Sequence, residues 1–182
     1  PLAESAKLVH IDSAADELGR AVPTDVAMLA DPGAALSALG DALEAEMSGA
    51  AMESATARAT AIGEETRAAQ KAFEAAAGAA TVGQPMSPGR LMMEVAKALP
   101  PESIVVEDAI SSRGALYSAI KFSEPGSIQA EVGAAIGWGM GAGLGVKLAH
   151  PDRPVVTIVG DGSAMMTVQA LWTAANMKIP AV

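Results

Sequence analysis

The chain contains no cysteine, which removes disulfides and thiolate metal sites at once. Histidine is nearly absent: His10 and His150 are the two imidazoles, too few for a multi-histidine metal centre. Aromatic residues make up 3%, so a core must be built from Ala, Val, Leu, Ile and Met, and the 51% apolar content suffices to build one. Positive charge is scarce as well. Twelve Lys and Arg against 21 Asp and Glu leave a net charge of −9, which argues against a nucleic-acid partner, whose phosphates need a basic surface. That balance does not exclude an acidic ligand held by backbone N–H groups and a cation.

Long apolar runs are also missing. The most membrane-like stretch is Val132–Val146, VGAAIGWGMGAGLGV, with Gly133, Gly137, Gly141 and Gly145 at four-residue spacing. Glu131 and Lys147 close it off short of the roughly 20 apolar residues that span a bilayer, so it reads as a tightly packed soluble helix without a membrane partner. Residues 1–12 have neither the basic start nor the apolar run of a secretory signal, and a cytoplasmic location is expected. A strand pattern at Lys7–Asp12 so close to Pro1 suggests that an N-terminal part precedes it.

What is present alternates between strand and helix patterns. Residues 7–12 read as a strand, 16–19 as a short helical piece and 26–30 as a second strand. Asp31 and Pro32 then cap a helix over 33–47 with Leu36, Leu39, Leu43 and Met47 on one face. Residues 49–83 are rich in Ala, Glu and Thr and read as a linker with helical segments. A second set starts near 84: a helix over 88–99 with Leu91, Met92, Val95 and Leu99 inward, and a strand over 103–106 that ends at Glu107-Asp108. A helical stretch to Ile120, the glycine-rich helix, a strand over 155–159 and a final helix follow. The fold class is α/β: doubly wound, three-layer, parallel-sheet domains, present as a partial chain. Ligands of such sheets sit at the carboxyl ends of strands, which singles out the loops after Val106 and Val159.

In the second loop, Gly160-Asp161-Gly162-Ser163, the glycines allow a sharp turn and a close ligand approach, and a helix start favours phosphate. A carboxylate beside phosphates is repulsive unless a cation lies between, and Mg²⁺ with its oxygen ligands fits. The plain alternative is a turn with Asp161 as helix cap. In the first loop, Ser111 and Ser112 can donate to phosphate oxygens or simply form a turn. Glu107 and Asp108 are read as solvated or capping carboxylates rather than an acid–base pair. In the glycine-rich stretch, the small residues before Ile136 can admit a flat ring against the backbone, or serve close helix packing.

Taken together, GDGSAMMTVQALWTAANMKIPAV and the upstream PGSIQAEVGAAIGWGMGAGLGVKLAHPDRPVVTIVGDGS resemble the diphosphate-binding motif of the thiamine diphosphate enzymes, with GDGSA, LWTAA and Ile-Pro pointing to the benzoylformate decarboxylase-like branch. Residues 7–46 resemble the end of that family's central domain. The resemblance implies a central-domain end over 1–48, the linker over 49–83, and part of the diphosphate-binding domain over 84–182. It implies thiamine diphosphate and Mg²⁺ as cofactors, with Asp161 as metal ligand. Gly160, Gly162, Ser163, Ser111 and Ser112 would lie near the diphosphate. The Ala134 carbonyl would accept from the aminopyrimidine, and Ile136 would bend the cofactor.

The implied activity is decarboxylation of a 2-oxo acid substrate. An acetolactate synthase-like or acyl-CoA lyase-type carboligase, or a non-catalytic fragment, is the alternative. Partners would be the pyrimidine-binding domain of the same or a neighbouring subunit, in a homodimer or homotetramer. The activating glutamate belongs to that domain and the motif's second metal ligand falls near position 188, so no catalytic residue is assigned within the chain. A truncation, a proteolytic fragment or missing residues is expected, and the chain alone is expected to be inactive.

Overall fold

The structure, a computed structural model, describes residues 3, 5–79, 85–133, 135–180 and 182. The chain divides into two compact units, residues 1–63 and 64–182. Ala134 lies outside the described residues.

In the first unit, β1 (Val9–Asp12) and β2 (Val26–Leu29) pair in parallel, Val9 opposite Val26 and Asp12 opposite Leu29. Asp25 pins their start: its carboxylate accepts from Lys7 Nζ and from the Leu8 N–H, each at 2.9 Å. The backbone donor first, and Lys7 second, hold the Asp25 carboxyl below its ordinary range. The connection at 16–19 is a turn and not the short helix its sequence suggests. Asp12 Oδ1 accepts from Ala14 N at 2.7 Å, and Gly19, at φ +71°, donates to His10 Nδ1 at 3.2 Å, so local side-chain acceptors take the N–H groups a helix would use. Helix α1 (Pro32–Glu46) starts as expected, with Asp31 Oδ1 accepting from Ala34 N at 2.8 Å. Its Leu36, Leu39 and Leu43 are exposed. Helix α2 is continuous over Gly49–Gly78.

The second unit is a three-layer sandwich. Its sheet has the order β4–β3–β5, all parallel, from β3 (Ile104–Asp108), β4 (Ile128–Ala130) and β5 (Val155–Val159). All five residues of β3 are buried, as a central parallel strand requires. Alternation along β3 feeds two cores. Val105 packs with Met92 of α3 (Pro88–Ala98) and Leu116 of α4 (Arg113–Ala119). Ile104 and Val106, with Val155, pack with Trp138 and with Ala142 and Val146 of α5 (Gly139–Ala149) on the other face. Full burial of such side chains contributes about 1.5–3 kcal/mol each. Of the residues expected inward, Met92 is buried and Leu99 packs against the same core, while Leu91 is exposed.

Two elements of this unit differ from their sequence expectation. The glycine-rich helix begins only at Gly139, because Gly133 and Gly137 adopt φ +113° and +96°, outside the helical region. The last helix is two: α6 (Asp161–Met166) and α7 (Ala170–Met177). The break falls at Thr167, whose hydroxyl donates to the Gly137 carbonyl at 2.7 Å. Strand β4 is also new; at three residues it carries too little alternation to be read from sequence.

Candidate functional site

The chain leaves β3 towards α4 on one face of the sheet and reaches β4. It returns over the opposite face through α5 to β5, which pairs on the other side of β3. After β5 the chain turns to α6 and α7, which pack with α5. Neighbouring strands β3 and β5 therefore send their connections to opposite faces. Such a switch point opens a crevice at the carboxyl edge of a doubly wound sheet. Asp108 and Val159 are paired in register there, and the Gly160 N–H donates to the Asp108 carbonyl at 3.0 Å. The loops carrying Ser111-Ser112 and Gly160-Asp161-Gly162-Ser163, about fifty residues apart in sequence, thus leave the sheet side by side.

Asp161 is the first residue of α6 and Gly160 its cap, so the capping alternative for Asp161 does not hold. Its carboxylate is exposed and Oδ1 accepts only the adjacent Gly162 N–H, at 2.9 Å, among the described contacts. A Cβ on Gly162 would meet nothing within 4 Å, so open space adjoins this carboxylate. Ser163 is buried, and its hydroxyl donates to Asp108 Oδ1 at 3.2 Å. What Ser163 can offer an anion is its backbone N–H, one of the donors a helix start leaves without an intrahelical acceptor. Ser111 is exposed and Ser112 half-buried at the start of α4. No group of three or more His, Cys, Asp or Glu able to hold a metal occurs among the described residues.

Ile136 sits in the turn before α5 and is 47% exposed, so it is not the core residue that a packed glycine helix implied. Close packing does explain Gly143, where a Cβ would collide with the Thr157 hydroxyl of β5; Gly141 and Gly145 face open space.

The strand-end carboxylates are where sequence reasoning missed most. Glu107 is 0% and Asp108 4% exposed, so neither is solvated. Glu107 Oε1 accepts from Ala109 N at 2.7 Å, and Oε2 lies 2.9 Å from Arg113 Nε in a contact ion pair whose N–H is not well aimed. This brace fixes the loop between β3 and α4. Asp108 Oδ2 accepts from the Gly137 and Gly139 N–H groups, each at 3.0 Å. The sequence signal was the position itself: two acids ending a fully apolar strand must either leave the sheet or find donors.

Residues 109–182 match the family model of the thiamine pyrophosphate enzyme C-terminal TPP binding domain. The chain is 35% identical over 100 residues to benzoylformate decarboxylase of Pseudomonas aeruginosa, an overlap of 55% of this chain and 19% of the relative. It is 37% identical over 87 residues to the putative acetolactate synthase large subunit IlvX of Mycobacterium tuberculosis, covering 47% of this chain and 17% of that protein. Among solved structures, the thiamine diphosphate-dependent 4-hydroxybenzoylformate decarboxylase of Rhodococcus jostii RHA1 superposes with a TM-score of 0.72 at 26% identity. That match covers 99% of this chain and 30% of the neighbour. The chain therefore spans less than a third of the length of each of these relatives.

Proposed function

Starting from a chain that belongs to the thiamine diphosphate-dependent enzymes, we propose that the crevice between the β3 and β5 loops holds the diphosphate end of thiamine diphosphate with Mg²⁺. The observation that carries this reading is the exposed Asp161 carboxylate, beside open space at Gly162 and at the switch point of the sheet. The donor set suits the group. Mg²⁺ prefers oxygen ligands and is commonly shared between one or two carboxylates and phosphates, and Asp161 keeps oxygen lone pairs unused by Gly162. The backbone N–H of Ser163 and the hydroxyls of Ser111 and Ser112 serve the phosphate oxygens, and Gly162 leaves them room. Ile136, standing out of the core, supports the ring portion, and the Ala134 carbonyl receives its amino group.

When bound, the cofactor supplies the carbanion and electron sink. This chain's residues anchor it at one end and set its bend, a contribution of proximity and orientation. We read residues 1–48 as a central-domain end, 49–83 as a connection and 84–182 as part of the diphosphate domain. The catalytic glutamate and most of the substrate pocket would come from a pyrimidine-binding domain of the same or a neighbouring subunit, in a homodimer or homotetramer. The reaction is decarboxylation of a 2-oxo acid, supported by the two decarboxylase relatives. A carboligase is the second reading, favoured by the likeness to an acetolactate synthase subunit. With pyruvate as substrate both release CO₂; acetaldehyde marks the first and acetolactate the second.

Calorimetric titration of the full-length protein with thiamine diphosphate, with and without Mg²⁺, tests the site. Binding should require Mg²⁺ and be lost in Asp161→Ala. Unchanged affinity in that variant would refute the assignment of Asp161.

A further inference from the structure

Asp108 is a buried carboxylate with no Lys, Arg or His against it among the described ion pairs. A buried charge without a counter-ion is costly unless hydrogen bonds replace its water. Here they do. Oδ2 takes the N–H groups of Gly137 and Gly139, Oδ1 takes the Ser163 hydroxyl, and the main-chain carbonyl takes the Gly160 N–H. Charge-assisted bonds of this kind are stronger than neutral ones.

The donors belong to two segments far apart in sequence, and each borders a proposed cofactor contact. Gly137 adjoins Ile136, whereas Gly160 and Ser163 flank Asp161. The Gly137 peptide is held from both sides, its N–H by Asp108 and its carbonyl by Thr167 of the β5-side segment. The approach is also sterically exclusive: a Cβ on Gly139 would lie 2.5 Å from the Asp108 Cβ, and one on Gly137 2.9 Å from the Met166 Cβ. Ordinary core packing would place an apolar residue at such a position, as Val106 does two residues earlier on the same strand.

We infer that Asp108 is a positioning residue, whose buried carboxylate locks the Ile136 turn and the Asp161 loop in one register before any ligand arrives. It touches neither metal nor cofactor. Its role is preorganisation, the holding of ligand-contacting groups by hydrogen bonds from behind. This inference rests on the cofactor reading of the two loops.

The test compares wild type, Asp108→Asn and Asp108→Ala in the full-length protein, by calorimetry with thiamine diphosphate and Mg²⁺ below each variant's melting temperature. Wild type should bind. Asp108→Ala leaves two buried N–H groups without acceptors and should bind about 10–100-fold more weakly, the usual effect of losing a group that orients a ligand-binding one. Asp108→Asn keeps one oxygen for the two glycine N–H groups, and its amide can donate to the Ser163 oxygen, so its affinity should stay within about threefold of wild type by the same geometry. That rescue separates positioning from a need for the charge itself. Should Asp108→Ala fail to fold, Ser163→Ala takes its place, since it removes one donor alone and should weaken cofactor binding with little change in melting temperature. Wild-type affinity in a folded Asp108→Ala or Ser163→Ala, or an Asp108→Asn as weak as the alanine variant, overturns the inference alone. Failure of wild type to bind overturns the cofactor reading as well.

Discussion

A Cβ on Gly143 would collide with the Thr157 hydroxyl, so this glycine sets how closely α5 lies on β5. Gly143→Ala should cost about 1–3 kcal/mol, the usual effect of overpacking, measured by denaturant unfolding. Gly141, two residues away, faces open space on the same helix, and Gly141→Ala should stabilise by roughly 0.5–1 kcal/mol because alanine loses less backbone entropy. A rank order in which both variants destabilise equally would contradict this packing. Ile136 gives a different contrast. Because it is half exposed, Ile136→Ala should change stability by no more than about 0.5 kcal/mol, as at other surface positions. Its effect should appear instead as slower turnover in the cofactor-loaded full-length protein, with Ile136→Leu close to wild type. A large loss of melting temperature in Ile136→Ala would return the residue to plain packing.

Caps and pairings decide the elements. The carboxylate of Asp31 closes the start of α1 as the Asp-Pro-Gly pattern indicates, and Asp31→Ala should cost about 0.5–2 kcal/mol, readable as a loss of helical circular dichroism on heating. The β1–β2 pair is tied by Asp25, whose carboxyl is held low by the Leu8 N–H and then by Lys7. A carboxyl with a lowered pKa stabilises the fold above its ordinary range, and that contribution disappears as the pH falls through the lowered value. The difference in melting temperature between wild type and Asp25→Asn should therefore be present at neutral pH and vanish in acid. A difference that persists at low pH would assign the tie to packing and not to ionisation.

At the scale of the molecule, apolar surface is distributed unevenly. Met165, Met166, Leu171, Trp172 and Met177 of α6 and α7 are all exposed, while Trp138 packs against the β3–β5 core. Trp172 is 70% exposed, so acrylamide should quench its emission readily, and Trp172→Phe should leave a blue-shifted spectrum from Trp138 that resists quenching. Equal quenching before and after the substitution would place both indoles in similar surroundings. The net charge of −9 adds a general repulsion from polyanions, so a bound diphosphate needs local donors and a cation.

Much of this was determined by the sequence itself, because the physics involved is local. The Asp31 cap, strand β5 and the helices α1 and α3 follow from turn chemistry and periodicity within a few residues. The Gly-Asp-Gly-Ser loop could be read as a strand-to-helix turn for the same reason, and the α/β class follows from the alternation of patterns. Only the tertiary structure decided the rest. It delayed the start of the glycine-rich helix to Gly139, since the positive φ of Gly137 is held by Asp108 and Thr167 from other segments. It buried Glu107 and Asp108, whose donors lie in part 29, 31 and 55 residues away. It exposed Ile136 and placed the Ser111-Ser112 loop beside Asp161, through parallel pairing of strands separated by two crossovers. A carboxylate on a strand end does not reveal its partners, because those hydrogen bonds exist only once the sheet has brought distant loops to one edge.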